Sequence, residues 1–295
     1  MSKRRQCVAP AIQAGQVNML ESRVLLAGAV SASLSAAGTL TINGDANNNS
    51  IRVDVVGTDI VVDELGGGTV NGTNSIPFLA ANVKSIVING KAGNDDVLVD
   101  GVTLTDNLTI NLNAGRDYAD ALNSTIGGKL TLNGDAGDDS MYASFSDVTG
   151  VTTLNGGTGS DLLGFWGFLA HGKVNASGGA GGDDVADFGG SVFDDAVSID
   201  TGRGSDFVSL SGTSTFNGSV AVDTGAGADV IEAYNNTFNG AVSVKTGGGA
   251  DTIQVGNNNF LQAVSLNGGA GKDTLIDGGN NFAFTPSIKK IETLI

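Results

Sequence analysis

Aspartate is the residue type best placed for chemistry in this sequence, because it recurs at a nearly fixed interval. A Gly-x-Asp tripeptide occurs nine times in the segment 91–283, and the numbers of successive aspartates differ by 22 or 23. Carboxylates in such a register suit a hard cation such as Ca²⁺, which binds about six to eight oxygen atoms. The nine aspartates are Asp95, Asp117, Asp139, Asp161, Asp183, Asp206, Asp229, Asp251 and Asp273.

The interval also predicts the elements that hold these aspartates. A repeat of about 20–50 residues is typical of solenoids, in which each coil buries its apolar face against its neighbours. An apolar residue stands two positions after each aspartate, from Val97 to Leu275, and the next position is mixed and often polar. This alternation is typical of a half-buried strand, and a second strand precedes each tripeptide. We predict an all-β fold, a parallel β-solenoid of about nine 22-residue coils with capping strands at both ends.

Phenylalanine marks another corner of the predicted coil. Phe193, Phe216, Phe238, Phe260 and Phe282 follow one another at the same interval as the aspartates, in register with the apolar columns. We expect these rings to lie inside the solenoid and to stack from coil to coil. The alternative is an exposed row of rings that binds a partner.

Nine stacked aspartates require a means of reducing their mutual repulsion. Like positions of adjacent coils lie roughly 4.8 Å apart in a parallel solenoid. Two carboxylates about 5 Å apart repel by roughly 3 kcal/mol at an effective dielectric constant of about 20. Shared protons, or side chains that splay into water, would relieve this repulsion. Ca²⁺ between coils is another solution, because it accepts carboxylate and carbonyl oxygens together.

Three turns resemble a known calcium-binding motif. Gly156–Asp161, Gly178–Asp183 and Gly268–Asp273 match Gly-Gly-x-Gly-x-Asp, the repeat of the hemolysin-type (RTX) family. The resemblance covers about two-thirds of the chain and implies a right-handed β-roll of an exported bacterial protein, with Ca²⁺ between stacked turns. The fourth motif position, where glycine lets the backbone turn tightly and point carbonyl groups at an ion, is occupied in these turns by Gly159, Gly181 and Gly271.

The other six turns depart from the motif, because one or both of the first two glycines are replaced. The family often repeats its motif back to back, whereas this chain has one motif in each predicted coil. We therefore expect the ions to form a single row along the solenoid. The alternative without metal is that each aspartate caps its own turn through an Asx-type hydrogen bond.

The repeat and its flanking sequences divide the chain into four segments. Residues 1–38 have a basic start and a short apolar run, which is the outline of an export signal, with a disordered tail as the alternative. Within them, Leu20–Leu26 resembles the LEPR-XLL motif of exported bacterial surface proteins, with Ser22 in place of proline. The remaining segments are 39–90, predicted as N-terminal capping strands and a hairpin, 91–283, the repeat solenoid, and 284–295, a C-terminal cap.

Charge and composition restrict the ligands that the protein can bind. A formal net charge of −16 disfavours nucleic acid. Cys7 is the only cysteine, so the sequence offers neither a disulfide framework nor a cysteine metal site. No segment has the length and apolar character of a membrane span. We expect calcium ions as ligands, and cell-surface polysaccharide or other surface proteins as candidate partners.

Little in the sequence suggests catalysis. His171 is the only histidine, and the basic residues of the repeats are scattered, whereas polysaccharide lyases and epimerases built on β-helices need a cleft of carboxylates and basic residues. Trp166 could be a carbohydrate platform or a partner contact, and a partly buried corner position is the favoured interpretation. We predict a secreted or cell-surface calcium-binding solenoid without enzymatic activity and with a structural or adhesive role. The alternatives are a metal-free structural solenoid and a lyase- or epimerase-type enzyme.

Overall fold

The predicted parallel β-solenoid is confirmed. The computed structural model describes residues 28–187 and 189–295. Each regular coil has one strand before the Gly-x-Asp tripeptide, one after it and a two-residue strand at a third corner, as in Leu130–Ala136, Ser140–Ser144 and Asp147–Val148. Strands of successive coils pair in parallel with equivalent residues aligned. The stack therefore has about nine coils, each as long as the repeat interval predicts.

The first sheet contains the strands that precede the tripeptides. It has 13 strands within the described residues, and one antiparallel pair lies near its N-terminal end. Alternate side chains point into the solenoid, where Leu108 and Ile110 are fully buried. From the N-terminal end of the stack, the strands are Thr69–Val70, Ala29–Leu34, Thr39–Asn43, Ser85–Ala92, Leu108–Ala114, Leu130–Ala136, Thr152–Thr158, Val174–Ala180, Val197–Arg203, Val220–Asp223, Val242–Lys245, Val264–Asn267 and Ser287–Lys289.

The second sheet contains the strands that follow the tripeptides, again 13 in the part of the chain that the structure describes. The predicted inward column from Val97 to Leu275 is buried throughout. Trp166, for which a partly buried corner was favoured, lies instead at the outward end of its strand and is 53% exposed. The strands are Ser75–Leu79, Asp59–Glu64, Ser50–Val56, Asp96–Asp100, Tyr118–Leu122, Ser140–Ser144, Leu162–Trp166, Asp184–Asp187, Phe207–Ser211, Val230–Tyr234, Thr252–Gly256, Thr274–Gly278 and Thr293–Leu294.

The third sheet forms the remaining corner and holds the phenylalanine column. From Phe193 to Phe282 the rings stack at centroid separations of 4.8–4.9 Å and interplanar angles of 4–12°. The first four of these rings are buried, which confirms the internal ladder. The two-residue strands are Thr103–Leu104, Thr125–Ile126, Asp147–Val148, Leu169–Ala170, Val192–Phe193, Thr215–Phe216, Thr237–Phe238, Asn259–Phe260 and Asn281–Phe282; Gly248–Gly249 and Ala270–Gly271 form a separate parallel pair.

Antiparallel strands cover the N-terminal end of the stack. Ala29–Leu34 pairs with Thr39–Asn43, and Asp59–Glu64 pairs on its two sides with Ser50–Val56 and Ser75–Leu79. A short 3₁₀ helix, Ala80–Asn82, leads from these strands to the first regular coil. The pairing protects backbone groups that an uncapped solenoid would leave open at its edge.

Both terminal segments contain strands of the stack. Ala29–Leu34 lies within residues 1–38, and its Val30 is 3% exposed, so a buried strand begins inside the segment predicted for targeting or disorder. The basic start and Leu20–Leu26 lie outside the described residues. At the other end, residues 284–295 add one parallel strand to each of the first and second sheets. The C-terminal segment thus continues the stack.

Candidate metal-binding column

The nine aspartates form one column inside the solenoid, which we call the aspartate column. Each side chain lies at the turn between the first and second sheets, and none is more than 3% exposed. Side chains that splayed into water would be far more exposed, so that means of relieving repulsion is not used. The column consists of Asp95, Asp117, Asp139, Asp161, Asp183, Asp206, Asp229, Asp251 and Asp273.

One oxygen of each carboxylate ties its coil to the preceding coil. From Asp117 to Asp273, Oδ1 accepts a hydrogen bond from the backbone N–H of the preceding aspartate in the column, with N···O distances of 2.6–3.0 Å. The N–H of Asn49 bonds Oδ1 of Asp95 at one end, and the N–H of Asp273 bonds Oε2 of Glu292 at the other. The metal-free alternative placed this hydrogen bond within the aspartate's own turn, whereas the structure places it between coils.

The second carboxylate oxygen, Oδ2, lacks a hydrogen-bond partner wherever glycine stands five residues before the aspartate. In these coils Oδ2 is buried and accepts no hydrogen bond within the described residues. A β-carbon at Gly156 would overlap Oδ2 of Asp161, and would lie 2.7 Å from the carbonyl oxygen of Gly178 in the next coil. Gly156 thus keeps a side chain out of the narrow gap between a carboxylate and a carbonyl oxygen, and we call this position the cradle. The aspartates of these coils are Asp95, Asp139, Asp161, Asp183 and Asp273.

Threonine fills the equivalent cradle elsewhere. The hydroxyl of Thr201 lies 2.8 Å from Oδ2 of Asp206 and 3.3 Å from the carbonyl oxygen of Thr224 in the next coil. The hydroxyls of Thr224 and Thr246 likewise donate to carbonyl oxygens of the following coils. At Thr201 a side chain of the protein thus makes the bridge that glycine-containing coils lack. The replacement of glycine by threonine at this position is visible in the sequence, but the contact of the hydroxyl with Oδ2 is not.

Three further coils combine an unpartnered oxygen with a filled cradle. Oδ2 of Asp117, Asp229 and Asp251 is buried and accepts no hydrogen bond among the described residues. The residue five positions earlier in these coils is Leu112, Thr224 or Thr246, so a side chain stands where the other coils have glycine. The unpartnered oxygen is therefore more widespread than the cradle without a side chain, which is confined to the glycine-containing coils.

The glycines of the motif have a packing role. Gly159, Gly181 and Gly271 have φ values of +132°, +156° and +146°, a region that favours glycine. A β-carbon at each would overlap the carbonyl oxygen of the equivalent glycine in the preceding coil, for example that of Gly159 beneath Gly181. Glycine here is required by the close stacking of the turns, whether or not an ion binds.

The second position of the Gly-Gly-x-Gly-x-Asp pattern keeps a positive φ even where glycine is replaced. The second motif position has φ between +80° and +113° at its glycines from Gly157 to Gly269. In the first three coils the same position is occupied by Lys91, Asn113 and Asp135, with φ of +87°, +76° and +70°. The backbone path is therefore kept when glycine is replaced, at the cost of strain in those residues.

Burial raises the pKa of most of the column. Removal from water is the largest cause in every shifted group, and the charges of nearby aspartates add to it. The pKa is raised to about 7 for Asp117 and to about 6 for Asp139 and Asp183. The pKa of Asp95, Asp161, Asp229 and Asp273 is raised as well. A proton or a cation would therefore stabilise the folded column.

The column contributes carboxylates singly. Within residues 28–187 and 189–295, no three or more His, Cys, Asp or Glu side chains are grouped so as to hold a metal ion. An ion at the cradle of Asp161 would thus combine its Oδ2 with backbone carbonyl groups such as that of Gly178. This donor set fits Ca²⁺, which accepts carboxylate and carbonyl oxygens, better than it fits transition metals that favour nitrogen and sulfur.

A second polar column was missed in the sequence. It lies at the corner between the second and third sheets, two residues before the phenylalanine column, where Asn236 N–H bonds Oδ1 of Asn258 at 3.0 Å. Asn236 Nδ2 also donates to the carbonyl oxygen of Leu210 at 2.6 Å. The neutral amide therefore satisfies both the N–H and the C=O groups that face it. The members of this column that form such bonds are Ser124, Ser146, Ser191, Ser214, Asn236, Asn258 and Asn280.

His171 lies on the surface, away from the aspartate column. Its Nδ1 is 2.7 Å from Oδ2 of Asp194, and its Nε2 is 3.2 Å from Oδ1 of Asp147, so that the ring bridges three coils. All three side chains are about two-fifths exposed. The arrangement is a surface ladder of polar side chains.

Comparison with protein-family models, with curated proteins and with solved structures finds no match. Among the described residues, no helix has the length and apolar character needed to cross a membrane.

Proposed function

We propose that this protein is an exported calcium-binding β-solenoid with a structural or adhesive role at the cell surface. The observation that carries the proposal is the buried, unpartnered Oδ2 in each glycine-containing coil. An ionised oxygen removed from water without a compensating partner is strongly unfavourable, so a counter-charge must accompany it or it must be protonated. Ca²⁺ supplies that charge where the concentration of calcium is high.

The cradles select which coils take up an ion. At Gly156 no side chain separates Oδ2 of Asp161 from the carbonyl oxygen of Gly178. The hydroxyl of Thr201 occupies the same space beside Asp206. We therefore assign calcium to the coils of Asp95, Asp139, Asp161, Asp183 and Asp273, and no calcium to that of Asp206. Each ion would draw oxygens from two coils, so that its binding would stabilise the fold.

A metal-free structural solenoid is the second candidate. It is favoured by the hydrogen bonds from backbone N–H groups to Oδ1, which hold the coils together without an ion. In this case protons would neutralise the aspartates whose pKa values are raised, and a protonated Oδ2 would donate to the facing carbonyl oxygen. The two candidates differ in whether the stability of the protein responds to calcium or only to pH.

Export and adhesion are supported by an N-terminal motif, by the charge of the chain and by its extended surface. The resemblance of Leu20–Leu26 to the LEPR-XLL motif favours a surface protein, and a net charge of −16 suits a protein that meets cations outside the cell. A long rod of stacked coils also presents an extended surface, which is how solenoids bind partners.

Thermal unfolding of the full chain in millimolar calcium, in magnesium and in chelator tests the calcium assignment. We expect calcium to raise Tm and magnesium to do so poorly, because magnesium demands tighter octahedral geometry. Asp161→Asn combined with Asp183→Asn should remove much of the rise. The control, Asp96→Asn with Asp184→Asn, makes the same charge change at exposed positions and should retain it. No calcium-dependent rise, or an equal rise in magnesium, would favour the metal-free solenoid.

A further inference from the structure

An aromatic groove crosses the outer face of the second sheet. Tyr118, Tyr142 and Trp166 lie on three successive strands, each two residues further along its strand than the one before. The aligned partner of Tyr142 in the next coil is Gly164, which has no side chain. With one strand spacing and two residues per step, the three positions span about 16 Å. Tyr118, Asp120, Tyr142, Ser144 and Trp166 line the groove.

The rings form an open row. The rings of Tyr118 and Tyr142 are 5.7 Å apart between centroids and tilted by 42°. Tyr118 is 39% exposed and Trp166 is 53% exposed, so both present a face to solvent. A contiguous patch of exposed apolar side chains is a mark of ligand-binding grooves and partner-binding surfaces.

Phe145, which lies beside Trp166 at the end of the row, has a strained backbone conformation. In the regular coils, one position in the turn after the second-sheet strand always has positive φ, and in the other described coils it is glycine, asparagine or threonine. At this position Phe145 has φ of +50°, a costly conformation for a bulky residue. Its ring packs 5.5 Å from that of Trp166, tilted by 40°. The strained residue therefore helps to fix the orientation of the tryptophan.

A polar group lies in the floor of the groove. Asp120 is 8% exposed, and its Oδ1 has no hydrogen-bond partner among the described residues. The phenol pKa values of Tyr118 and Tyr142 are raised, first by burial and then by the negative charge of Asp120, which places both tyrosines close to the carboxyl group. The groove thus combines apolar ring faces with an acidic, mostly buried floor.

We propose that this groove binds a neutral oligosaccharide. A sugar ring has apolar C–H faces, which pack on aromatic rings, and a rim of hydroxyl groups, which can hydrogen-bond the hydroxyl groups of Tyr118, Tyr142 and Ser144 in the lining. Among the described lining residues none is basic, and the nearby Arg52 is engaged by Asp54 and Asp100. The acidic floor therefore disfavours sulfated or uronate saccharides. The inference deepens the adhesive part of the proposed function and does not depend on calcium.

The shape of the groove also disfavours a small cation. Quaternary ammonium groups bind aromatic rings that surround one point, whereas these rings lie in a row across three strands on an open face. A row about 16 Å long suits several sugar units in sequence. The groove therefore suits an oligomer of uncharged sugars.

The only tryptophan of the chain lies in the groove, so its fluorescence reports directly on the site. The probes are hexasaccharides of glucose, xylose, mannose and galactose, with hexagalacturonate and choline as charged comparisons. We expect at least one neutral probe to change the fluorescence of Trp166 saturably, and the charged probes to leave it unchanged. Titration both in calcium and in chelator separates this outcome from the calcium assignment, because saccharide binding should persist in chelator.

Two variants locate the binding. Tyr142→Ala should weaken the responding hexasaccharide at least about tenfold, as expected when an aromatic anchor is removed. Tyr234→Ala, at the position equivalent to Trp166 three coils further along, should leave the affinity within about twofold. Circular dichroism verifies that both variants fold. If either variant fails to fold, the titration of the wild type still tests the proposal. A wild-type response to choline or hexagalacturonate alone, or no response to any neutral probe, would overturn the proposal.

Discussion

Oδ1 of Asp183 accepts a hydrogen bond of 2.9 Å from the backbone N–H of Asp161, one coil earlier in the stack. The same bond recurs along the aspartate column, and it explains why a short side-chain acceptor stands at every turn. It also leaves Oδ2 as the atom whose environment differs between coils. The calcium assignment, the role of Thr201 and the expected response to pH all depend on that second oxygen.

Replacing Asp183 separates the roles of its two oxygens. Asp183→Asn keeps an oxygen for the N–H of Asp161 and removes a charge from the column, so in chelator its free energy of unfolding should be equal to or above that of the wild type. Asp183→Ala leaves that N–H buried without an acceptor and should lower the free energy by about 1–3 kcal/mol. Urea denaturation of both variants in chelator measures the difference. A greater loss for Asn than for Ala would show that the hydrogen-bond assignment is incorrect.

Adjacent glycines provide a test of coil stacking. Gly249 has φ of +151°, and a β-carbon there would overlap the carbonyl oxygen of Gly227 in the preceding coil. Gly249→Ala should therefore lower the free energy of unfolding by about 2–5 kcal/mol, from positive-φ strain and overpacking together.

Gly248→Ala is the matched control, because the nearest atom to its β-carbon would be the carbonyl oxygen of Ala270 at 3.9 Å. Its effect should stay below about 1 kcal/mol. Equal losses in the two variants, measured by urea denaturation, would contradict the described stacking.

Much of the solenoid could be predicted because single residue types, such as aspartate and phenylalanine, recur at the length of one coil. The interval between aspartates and the alternation after them predict coil length, strand register and the inward column from Val97 to Leu275. The interval between Phe193 and Phe216 likewise predicts a ring stack. Residues in register along the chain must be neighbours in a parallel stack, so local patterns here specify long-range contacts.

The candidate site was less predictable, since it depends on the direction in which each side-chain atom points. The sequence identifies the aspartates, but not that Oδ1 bonds the preceding coil or that Thr201 reaches Oδ2 of Asp206. Trp166 was misplaced because it breaks the column pattern, and a lone residue has no register from which to infer exposure. The diagonal that joins it to Tyr118 and Tyr142 becomes visible only once the strands are aligned.

The stability of the metal-free protein should depend on pH. The pKa values of Asp117, at about 7, and of Asp139 and Asp183, at about 6, lie above the ordinary value of 3.8. Between these limits the folded state binds more protons than the unfolded state, so the free energy of unfolding falls as pH rises.

Urea denaturation in chelator at pH values from about 4 to 8 measures this slope. Saturating calcium should flatten it, because the ion then supplies the counter-charge in place of the protons. Equal stability in chelator at both ends of the range would contradict the assignment of a buried, coupled column.

The targeting hypothesis predicts that deletion of residues 1–27 separates export from folding. The boundary spares Ala29–Leu34, which pairs with Thr39–Asn43 in the cap. The shortened chain should keep its far-ultraviolet circular dichroism and remain in the cytoplasm of the expressing bacterium. Deletion of residues 1–38, which also removes that strand, should in addition lower Tm. Normal secretion of the shorter deletion would remove the targeting hypothesis.

Isothermal titration of the full chain with calcium tests the central claim most directly. The account predicts saturable uptake that Asp161→Asn combined with Asp183→Asn reduces. It also predicts that Thr201→Gly, which opens a cradle beside Asp206, increases the uptake, whereas Thr201→Ser, which keeps the hydroxyl, does not. A concentration of about 10 mM is above the range in which extracellular calcium modules bind. The absence of calcium uptake up to that concentration would contradict the account and leave the aspartates as hydrogen-bonding groups of a metal-free solenoid.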